Sequence, residues 1–331
     1  MTGMDKLNTK KYRRFSVFGG MKPESISILR FLNYKPENAI AEFIDNSIQS
    51  FFDNKKYLPV NHKLEIKINI SRDKKDITIS DNAAGISKKK IEYALEAGSE
   101  EIRRVNNRSH GLNEFGMGMK SAAFWFTESW TIETKAINEK FIKIINLDVN
   151  TIARENGRIN VKILPTNETK SFTRIILKNC DKSIGHHKNI ISNLESIHRN
   201  FLGKDIKIRY CYDKESSDYR NYPLKFIRPI FSREIPKYAY ENWLKIFDFD
   251  YLSKSAKKHK PKNVYWKIPV NIKFGRTSKK KLRAKGFIAK LVSSSEKRGI
   301  YYFRRNKMIE GPVYPSSLYS SQRGSGYEYK Y

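Results

Sequence analysis

The stretch Ala41-Glu42-Phe43-Ile44-Asp45-Asn46-Ser47 decides how this chain is interpreted. It lies within residues 36–52, whose apolar residues recur at helical spacing behind a proline, so the segment is predicted to be a helix. Glu42 and Asn46 then lie one turn apart on one face. A carboxylate there suits the activation of water, and an amide oxygen suits magnesium, which takes few protein ligands. A solvated helix face is the alternative, because the pattern Glu-x-x-x-Asn is common.

A second motif follows an alternating run at residues 76–80, which is predicted to be a strand that pairs with residues 64–70. Asp81 then lies at a strand end, where its carboxylate can accept a hydrogen bond from an exocyclic amine such as that of adenine. Gly85 allows a tight turn beside a planar ring. An ordinary Asx turn is the alternative reading of this motif.

The third motif is a glycine-rich loop at residues 111–118, which leads into an apolar segment, residues 119–126, predicted to be a helix. Backbone amides at the start of such a helix bind phosphate. The loop has Met117 where a P-loop needs lysine, and Ser121 where a dinucleotide-binding motif needs glycine. The chemistry of both of those nucleotide motifs is therefore excluded.

In this order, the three motifs resemble those of the GHKL ATPases, the superfamily of gyrase, the large heat-shock chaperone, histidine kinases and MutL. Residues 94–99 and 172–177 add to the resemblance, which is strongest to the MORC-like and chaperone-like branch. The resemblance implies an α+β fold, in which a GHKL (Bergerat) ATP-binding α/β sandwich is followed by a smaller α+β transducer-like domain.

The resemblance also implies a role for particular residues, with ATP and Mg²⁺ as the ligands. Glu42 would be the general base, Asn46 the magnesium ligand and Asp81 the residue that recognises adenine, assisted by Thr173. Residues 100–111 would form a lid whose closure makes turnover slow. The other nucleotide-binding residues implied are Gly85, Ile86, Gly98, Gly116, Met117, Gly118, Met119 and Lys120.

Two positions depart from the family pattern. Ala83 stands where the second motif usually has glycine, and Asn113 occupies a lid position that is often glycine. Alanine is small enough for nucleotide to bind, although its methyl group restricts the backbone. Nucleotide binding is therefore expected to survive these departures, and hydrolysis is less secure than binding.

The second half of the chain carries a weaker resemblance. Residues 299–309 resemble a strand of the transducer domain, in a family whose catalytic lysine or arginine lies on a later loop. Gln322-Arg323 is a poor match to that residue, so the chain is either a fragment or lacks the catalytic arm. The predicted domains are residues 1–180 and 181–331, joined near residues 178–188, and the second contains a helix at 187–201 and strands at 206–210 and 264–268.

The net charge of +31, from 65 basic and 34 acidic residues, indicates a polyanionic partner. Nucleic acid is favoured over a merely compositional bias because basic clusters concentrate in the second half, with tyrosines among them. The clusters are Lys10-Lys11 with Arg13-Arg14, Lys257-Lys258-His259-Lys260, Lys279-Lys280-Lys281 with Arg283, and Arg304-Arg305.

No run approaches the roughly 20 apolar residues that a membrane-spanning helix needs, and no apolar signal core follows the N-terminus. A soluble cytoplasmic protein without a membrane partner is therefore expected. Cys180 and Cys211 have neither metal-binding spacing nor a disulfide framework, and the six histidines supply no paired metal site.

The leading functional hypothesis is an ATP-gated clamp, in which nucleotide closes the lid, orders residues 1–20 and joins two protomers around nucleic acid. The resemblance suits bacterial defence or DNA maintenance. A non-catalytic nucleic-acid-binding module regulated by nucleotide, and a chaperone-like clamp on a protein client, remain alternatives. A histidine kinase is disfavoured because no phosphoacceptor helix precedes the site, and a type II topoisomerase because there is no cleavage domain.

Overall fold

The computed structural model describes residues 13–19, 23–95, 117–203, 205–213, 219–225, 266–273, 281–288 and 299–313. The chain divides into two compact units. The first comprises Met1–Phe226 with Phe303–Ile309, and the second comprises Ile227–Tyr302 with Glu310–Tyr331. The first unit therefore extends beyond the domain boundary that the sequence predicts at residue 180.

Among its described residues, the first unit contains a nine-stranded mixed sheet. Its strands are β1 (Arg13–Phe18), β2 (Leu64–Ile70), β3 (Ile77–Asp81), β4 (Ser129–Lys135), β5 (Phe141–Asp148), β6 (Arg158–Pro165), β7 (Phe172–Leu177), β8 (Ile206–Asp213) and β9 (Tyr219–Pro223). Their order across the sheet is β1-β6-β5-β4-β7-β3-β2-β8-β9. Strands β2 and β8 run parallel, and the other neighbours run antiparallel.

Helices cover one face of this sheet. They are α1 (Pro23–Leu29), α2 (Pro36–Asp53), α3 (Ile91–Leu95), α4 (Gly118–Phe126), α5 (Val149–Arg154) and α6 (His187–His198). Helix α2 packs against β2, α4 and α6. Its buried stripe comprises Ile40, Ile44, Ile48 and Phe51, each with no exposed surface, so the helical spacing predicted from the sequence forms the core.

The strands alternate between a buried and an exposed face, which confirms the predicted α/β sandwich. On β2 the isoleucines at 66, 68 and 70 are buried, whereas the alternate residues Glu65 and Lys67 are exposed. The predicted pairing of residues 64–70 with 76–80 is confirmed, because β2 and β3 pair antiparallel. Strand β8, predicted as part of the second domain, instead extends the main sheet beside β2.

The described residues of the later part of the chain form two small sheets. Strands β10 (Trp266–Lys273) and β11 (Lys281–Ile288) pair antiparallel. Strands β12 (Ile300–Arg304) and β13 (Lys307–Val313) form the other sheet, around a turn at Arg305 and Asn306. Both turn residues have positive φ, 50° and 69°, as a tight two-residue hairpin requires. The single strand predicted at residues 299–309 is thus a hairpin, whose tip, Phe303–Ile309, belongs to the first unit.

In the part of the chain that the structure describes, no helix has both the length and the apolar character needed to cross a bilayer.

Candidate nucleotide site

Helix α2 presents Glu42 and Asn46 on the face next to its buried stripe. The side chain of Glu42 is 24% exposed. The Asn46 side-chain amide donates to the backbone oxygen of Glu42 at 2.8 Å, which fixes the orientation of the amide. The predicted general base and the predicted magnesium ligand are therefore adjacent and partly accessible.

Asp81 lies at the end of β3 and is tied to the same helix. One carboxylate oxygen accepts from the Ser47 hydroxyl at 2.7 Å, and the other accepts from the Ala83 backbone N–H at 2.9 Å. Burial raises the pKa of Asp81 to about 6, and these hydrogen bonds oppose the rise. Ser47 follows Asn46 directly, so the hydrogen bond from Ser47 to Asp81 holds the predicted adenine-binding residue close to the predicted magnesium ligand.

The turn after β3 is held closely against the neighbouring strands. Gly85 has φ of +68°, and an added Cβ would lie 2.1 Å from the backbone oxygen of Lys135. Only glycine fits there. The Ile86 N–H donates to the Thr134 hydroxyl oxygen at 2.9 Å, and that oxygen lies 3.3 Å from the hydroxyl of Thr173. Thr134, which was not predicted, thus joins two residues of the predicted adenine pocket.

Ala83, which stands where the family usually has glycine, fits into the buried turn after β3. Its side chain is fully buried, its N–H donates to Asp81, and its backbone oxygen accepts from the Ser171 hydroxyl at 2.6 Å. The departure from glycine at this position is therefore compatible with the hydrogen bonds that hold Asp81.

The predicted phosphate loop is described in part. Gly98, Gly116 and the lid at residues 100–111 lie outside the described residues. Met117 precedes α4, and Gly118, Met119 and Lys120 form its first turn. The buried Lys120 ammonium donates to the backbone oxygen of Ala94 at 3.0 Å, which joins the start of α4 to α3. Phosphate binding by these residues stays a prediction.

The structure adds a charged cluster that the sequence did not predict, comprising Glu42, Asp45, His198 and Lys307. The Lys307 ammonium donates to Asp45 and lies 3.4 Å from a carboxylate oxygen of Glu42. His198, with no exposed surface, contacts the other Asp45 oxygen at 3.1 Å and the backbone oxygen of Leu194 at 3.1 Å. Both of these partners are acceptors, so His198 holds α6 against α2 by donating a ring N–H.

The cluster therefore joins two acids, Glu42 and Asp45, to Lys307 and His198. Burial raises the pKa of Glu42, and the charge of Lys307 opposes that rise. Burial alone would also raise the pKa of Asp45, but the hydrogen bonds and charges of His198 and Lys307 outweigh it and lower that pKa. Burial would lower the pKa of Lys307, but Asp45 and Glu42 raise it instead. Asp45 is thus a fixed anion, while Glu42 is the more basic carboxylate.

No local pattern links these four residues. Asp45 and His198 are 153 positions apart, and Glu42 and Lys307 are 265 apart. The available signals were the position of Asp45 inside the first motif and of Lys307 inside the segment that resembles a transducer strand.

Residues 34–182 match the family of histidine kinase-, DNA gyrase B- and HSP90-like ATPases. This region is a GHKL ATPase-like domain. The match takes in α2, the turn after β3, and β7, and it supports the binding of ATP. It does not distinguish the MORC-like or chaperone-like branch from the rest of the superfamily. No curated protein matches the chain.

Proposed function

We propose that this protein is an ATP-gated dimeric clamp that binds ATP with Mg²⁺, hydrolyses it slowly and acts on nucleic acid. One arrangement carries the proposal. Glu42 and Asn46 lie one turn apart on α2, and the next residue, Ser47, donates a hydrogen bond to Asp81 at 2.7 Å. The arrangement supplies a base, an oxygen ligand for a hard cation and an acceptor for adenine within one packed unit.

Glu42 acts as the general base that removes a proton from the attacking water. Burial raises the pKa of Glu42 and so makes it a stronger base, and Lys307 fixes the direction in which its carboxylate points. Lys307 is itself held by Asp45, which His198 anchors from α6. Lys307 is therefore a positioning residue, because it acts through Glu42.

The neutral amide of Asn46 supplies an oxygen suited to Mg²⁺, which takes few protein ligands and binds phosphate oxygens. When bound, the cation would neutralise phosphate charge. Asp81, as a carboxylate, accepts a hydrogen bond from the exocyclic amine of adenine. Gly85 keeps the turn close to the base, and Thr173, reached through Thr134, assists adenine binding.

The clamp action is supported by the position of Lys307. Residues Phe303–Ile309 are distant in sequence from α2 but belong to the same compact unit, and Lys307 contacts the proposed base. A nucleotide bound beside Glu42 therefore changes the strength of the contact between Glu42 and Lys307. By linkage, a movement of the hairpin tip that changes this contact also changes the affinity for nucleotide. The net charge of +31 supports nucleic acid as the partner, in a MORC-like role in DNA maintenance or bacterial defence.

The test compares wild type, Glu42→Gln and Asn46→Ala with the control Glu37→Gln, which removes an acid from the first turn of the same helix. ATP binding, Mg²⁺ dependence, turnover and oligomeric state are followed in the same samples. We expect Glu42→Gln to bind ATP and dimerise with turnover reduced at least about 100-fold. We expect Asn46→Ala to lose Mg²⁺-dependent binding, and Glu37→Gln to resemble wild type.

Absence of ATP binding by the wild type would overturn the proposal. Binding without turnover would remove hydrolysis and leave a nucleotide-regulated module. Turnover by Glu42→Gln at the wild-type rate would remove Glu42 as the base.

A further inference from the structure

The face of the sheet opposite the helices, called here the open face, carries mostly polar side chains. On β8 the buried Ile206 and Ile208 alternate with the exposed Lys207 and Arg209, as the buried and exposed residues do on β2. The same alternation places Arg174 of β7 on the open face with an exposed side chain. The helix layer therefore leaves a cationic surface on the other side of the sheet.

The strand register aligns one open-face residue from each strand into a row across all nine strands of the sheet. Lys162 on β6 is opposite Arg14, and Lys67 on β2 is opposite Arg209. Arg174 on β7 lies between these two pairs, opposite Ser80 on β3. The cations of this row, called here the cationic row, are Arg14, Lys162, Arg174, Lys67 and Arg209.

The charges of the row do not balance. Its one acid, in a row that the structure describes completely, is Glu133, which pairs with Arg174 at 2.8 Å. Neighbouring open-face positions include hydrogen-bonding groups without charge, among them Asn160, Thr131 and Thr78, and an exposed acid on β2, Glu65. A surface with this excess of positive charge complements a polyanion.

The length of the row suits an extended polymer. Arg14 and Arg209 lie seven strand spacings apart. At about 4.8 Å per spacing this is roughly 34 Å, which is long enough to follow several successive phosphates. Because strands twist by about 20° from one to the next, the row turns along its length, and a flexible single strand follows such a path better than a stiff duplex.

We infer that the cationic row binds the phosphate backbone of single-stranded nucleic acid. The inference rests on the proposed action on nucleic acid and assigns a surface to it, separate from the nucleotide site. The phosphate backbone of a single strand supplies regularly spaced negative charge. The amides and hydroxyls beside the row are suited to hydrogen bonds with its unpaired bases and its sugars.

The test neutralises three exposed cations of the row, Arg14→Gln, Lys67→Gln and Arg209→Gln, in one variant. The matched control, Lys55→Gln, Lys56→Gln and Lys63→Gln, removes three exposed cations that lie outside the row. Binding of a labelled oligothymidylate of about 20 nucleotides is measured as a function of salt. We expect the row variant to bind about 100-fold more weakly at 0.1 M salt, with the salt slope reduced by about 2.

Equal losses of oligonucleotide affinity in the row and control variants would overturn the inference. Binding would then depend on the total charge of the protein and not on where the cations lie. Equal effects on the binding of polyglutamate would also overturn it, because the row would then be a general site for acidic polymers.

A gain-of-affinity variant guards against losses caused by misfolding. Glu133→Gln removes the acid that pairs with Arg174 and adds net positive charge to the row. We expect oligonucleotide affinity to rise about 5-fold at 0.1 M salt, the contribution of one phosphate contact. Unchanged or weaker binding would contradict the proposed course of the backbone along the row.

ATP binding is measured in the same samples, so that the two proposals fail separately. A wild type that binds oligonucleotide through the row but binds no ATP overturns the ATP-driven clamp and keeps this surface. A wild type that hydrolyses ATP but binds no oligonucleotide overturns this surface and keeps the ATPase.

Discussion

The two sides of the nine-stranded sheet differ in how their charged side chains are paired. In the helix layer, the carboxylates of Glu42 and Asp45 both contact the Lys307 ammonium, and Asp45 also contacts His198. On the open face, five cations share a row with one acid. A buried charge is costly unless it is paired, whereas an exposed charge is stabilised by water and can remain in excess for a partner. In the two proposals, the helix side of the sheet carries out the chemistry and the open face binds the partner.

The strongest test of this contrast removes the buried histidine that contacts Asp45. His198→Leu leaves the buried Asp45 carboxylate without its anchor on α6, so we expect the free energy of unfolding to fall by about 3–5 kcal/mol. His186→Leu, at the exposed residue before the same helix, should change it by less than about 0.5 kcal/mol. Urea denaturation measures both variants. Equal effects of the two would show that the cluster is not an energetically coupled unit.

Removal of Lys307 is expected to affect turnover more than nucleotide binding. Lys307→Met frees the Glu42 carboxylate from its cation, and we expect kcat to fall about 100-fold while KM changes less than about 3-fold. Lys307→Arg keeps the charge and should restore at least a tenth of the wild-type rate. Arg304→Met, on the same hairpin, is the control. A rise in KM with unchanged kcat would mean that Lys307 serves binding and not the positioning of Glu42.

The local parts of the site could be predicted from sequence, whereas the cluster and the row could not. Residues 36–52 carry a complete helical pattern, so the placement of Glu42 beside Asn46 followed from spacing alone. The contacts of His198 and Lys307 depend on packing between segments more than 150 positions apart. Asn306 is a local signal for the hairpin turn, because asparagine tolerates positive φ. The resemblance of residues 299–309 to a single strand does not include that turn.

The cationic row shows the same limit. Alternation on each strand predicts which residues share a face. The alignment of Lys67 with Arg209 depends on parallel pairing of β2 with β8, and that of Arg14 with Lys162 on pairing of β1 with β6. Neither pairing joins neighbours in the chain, so spacing within the sequence carries no information about it.

Asp81 offers a test in which binding and stability change in opposite directions. Its pKa is raised from 3.8 to about 6 in the folded protein, so the folded state holds the proton more tightly than the unfolded state. Its contribution to stability is therefore present below about pH 4 and is lost as the pH rises through about 6. Asp81→Asn removes this dependence and should stabilise the nucleotide-free protein at pH 8 by on the order of 1 kcal/mol.

The same variant should lose preference for adenine nucleotides, because its side chain has one acceptor oxygen in place of two, and the Ala83 N–H competes with the adenine amine for it. In the wild type, ATP affinity should weaken as the pH falls below about 6, when the carboxyl group becomes protonated. Calorimetric titration with ATP and GTP at pH 5 and pH 8 measures both effects. A variant that binds ATP as the wild type does would remove Asp81 from the adenine site.

The smallest expected effect is on the stability of the protein when cations of the open face are removed. The variant with Arg14→Gln, Lys67→Gln and Arg209→Gln removes as many cations as any test here, yet its free energy of unfolding should stay within about 0.5 kcal/mol of wild type. Its thermal stability should rise slightly at low salt, because neighbouring like charges no longer repel across the strands. A loss of several kcal/mol would show that these cations hold the sheet together, and their excess would then reflect folding and not a partner.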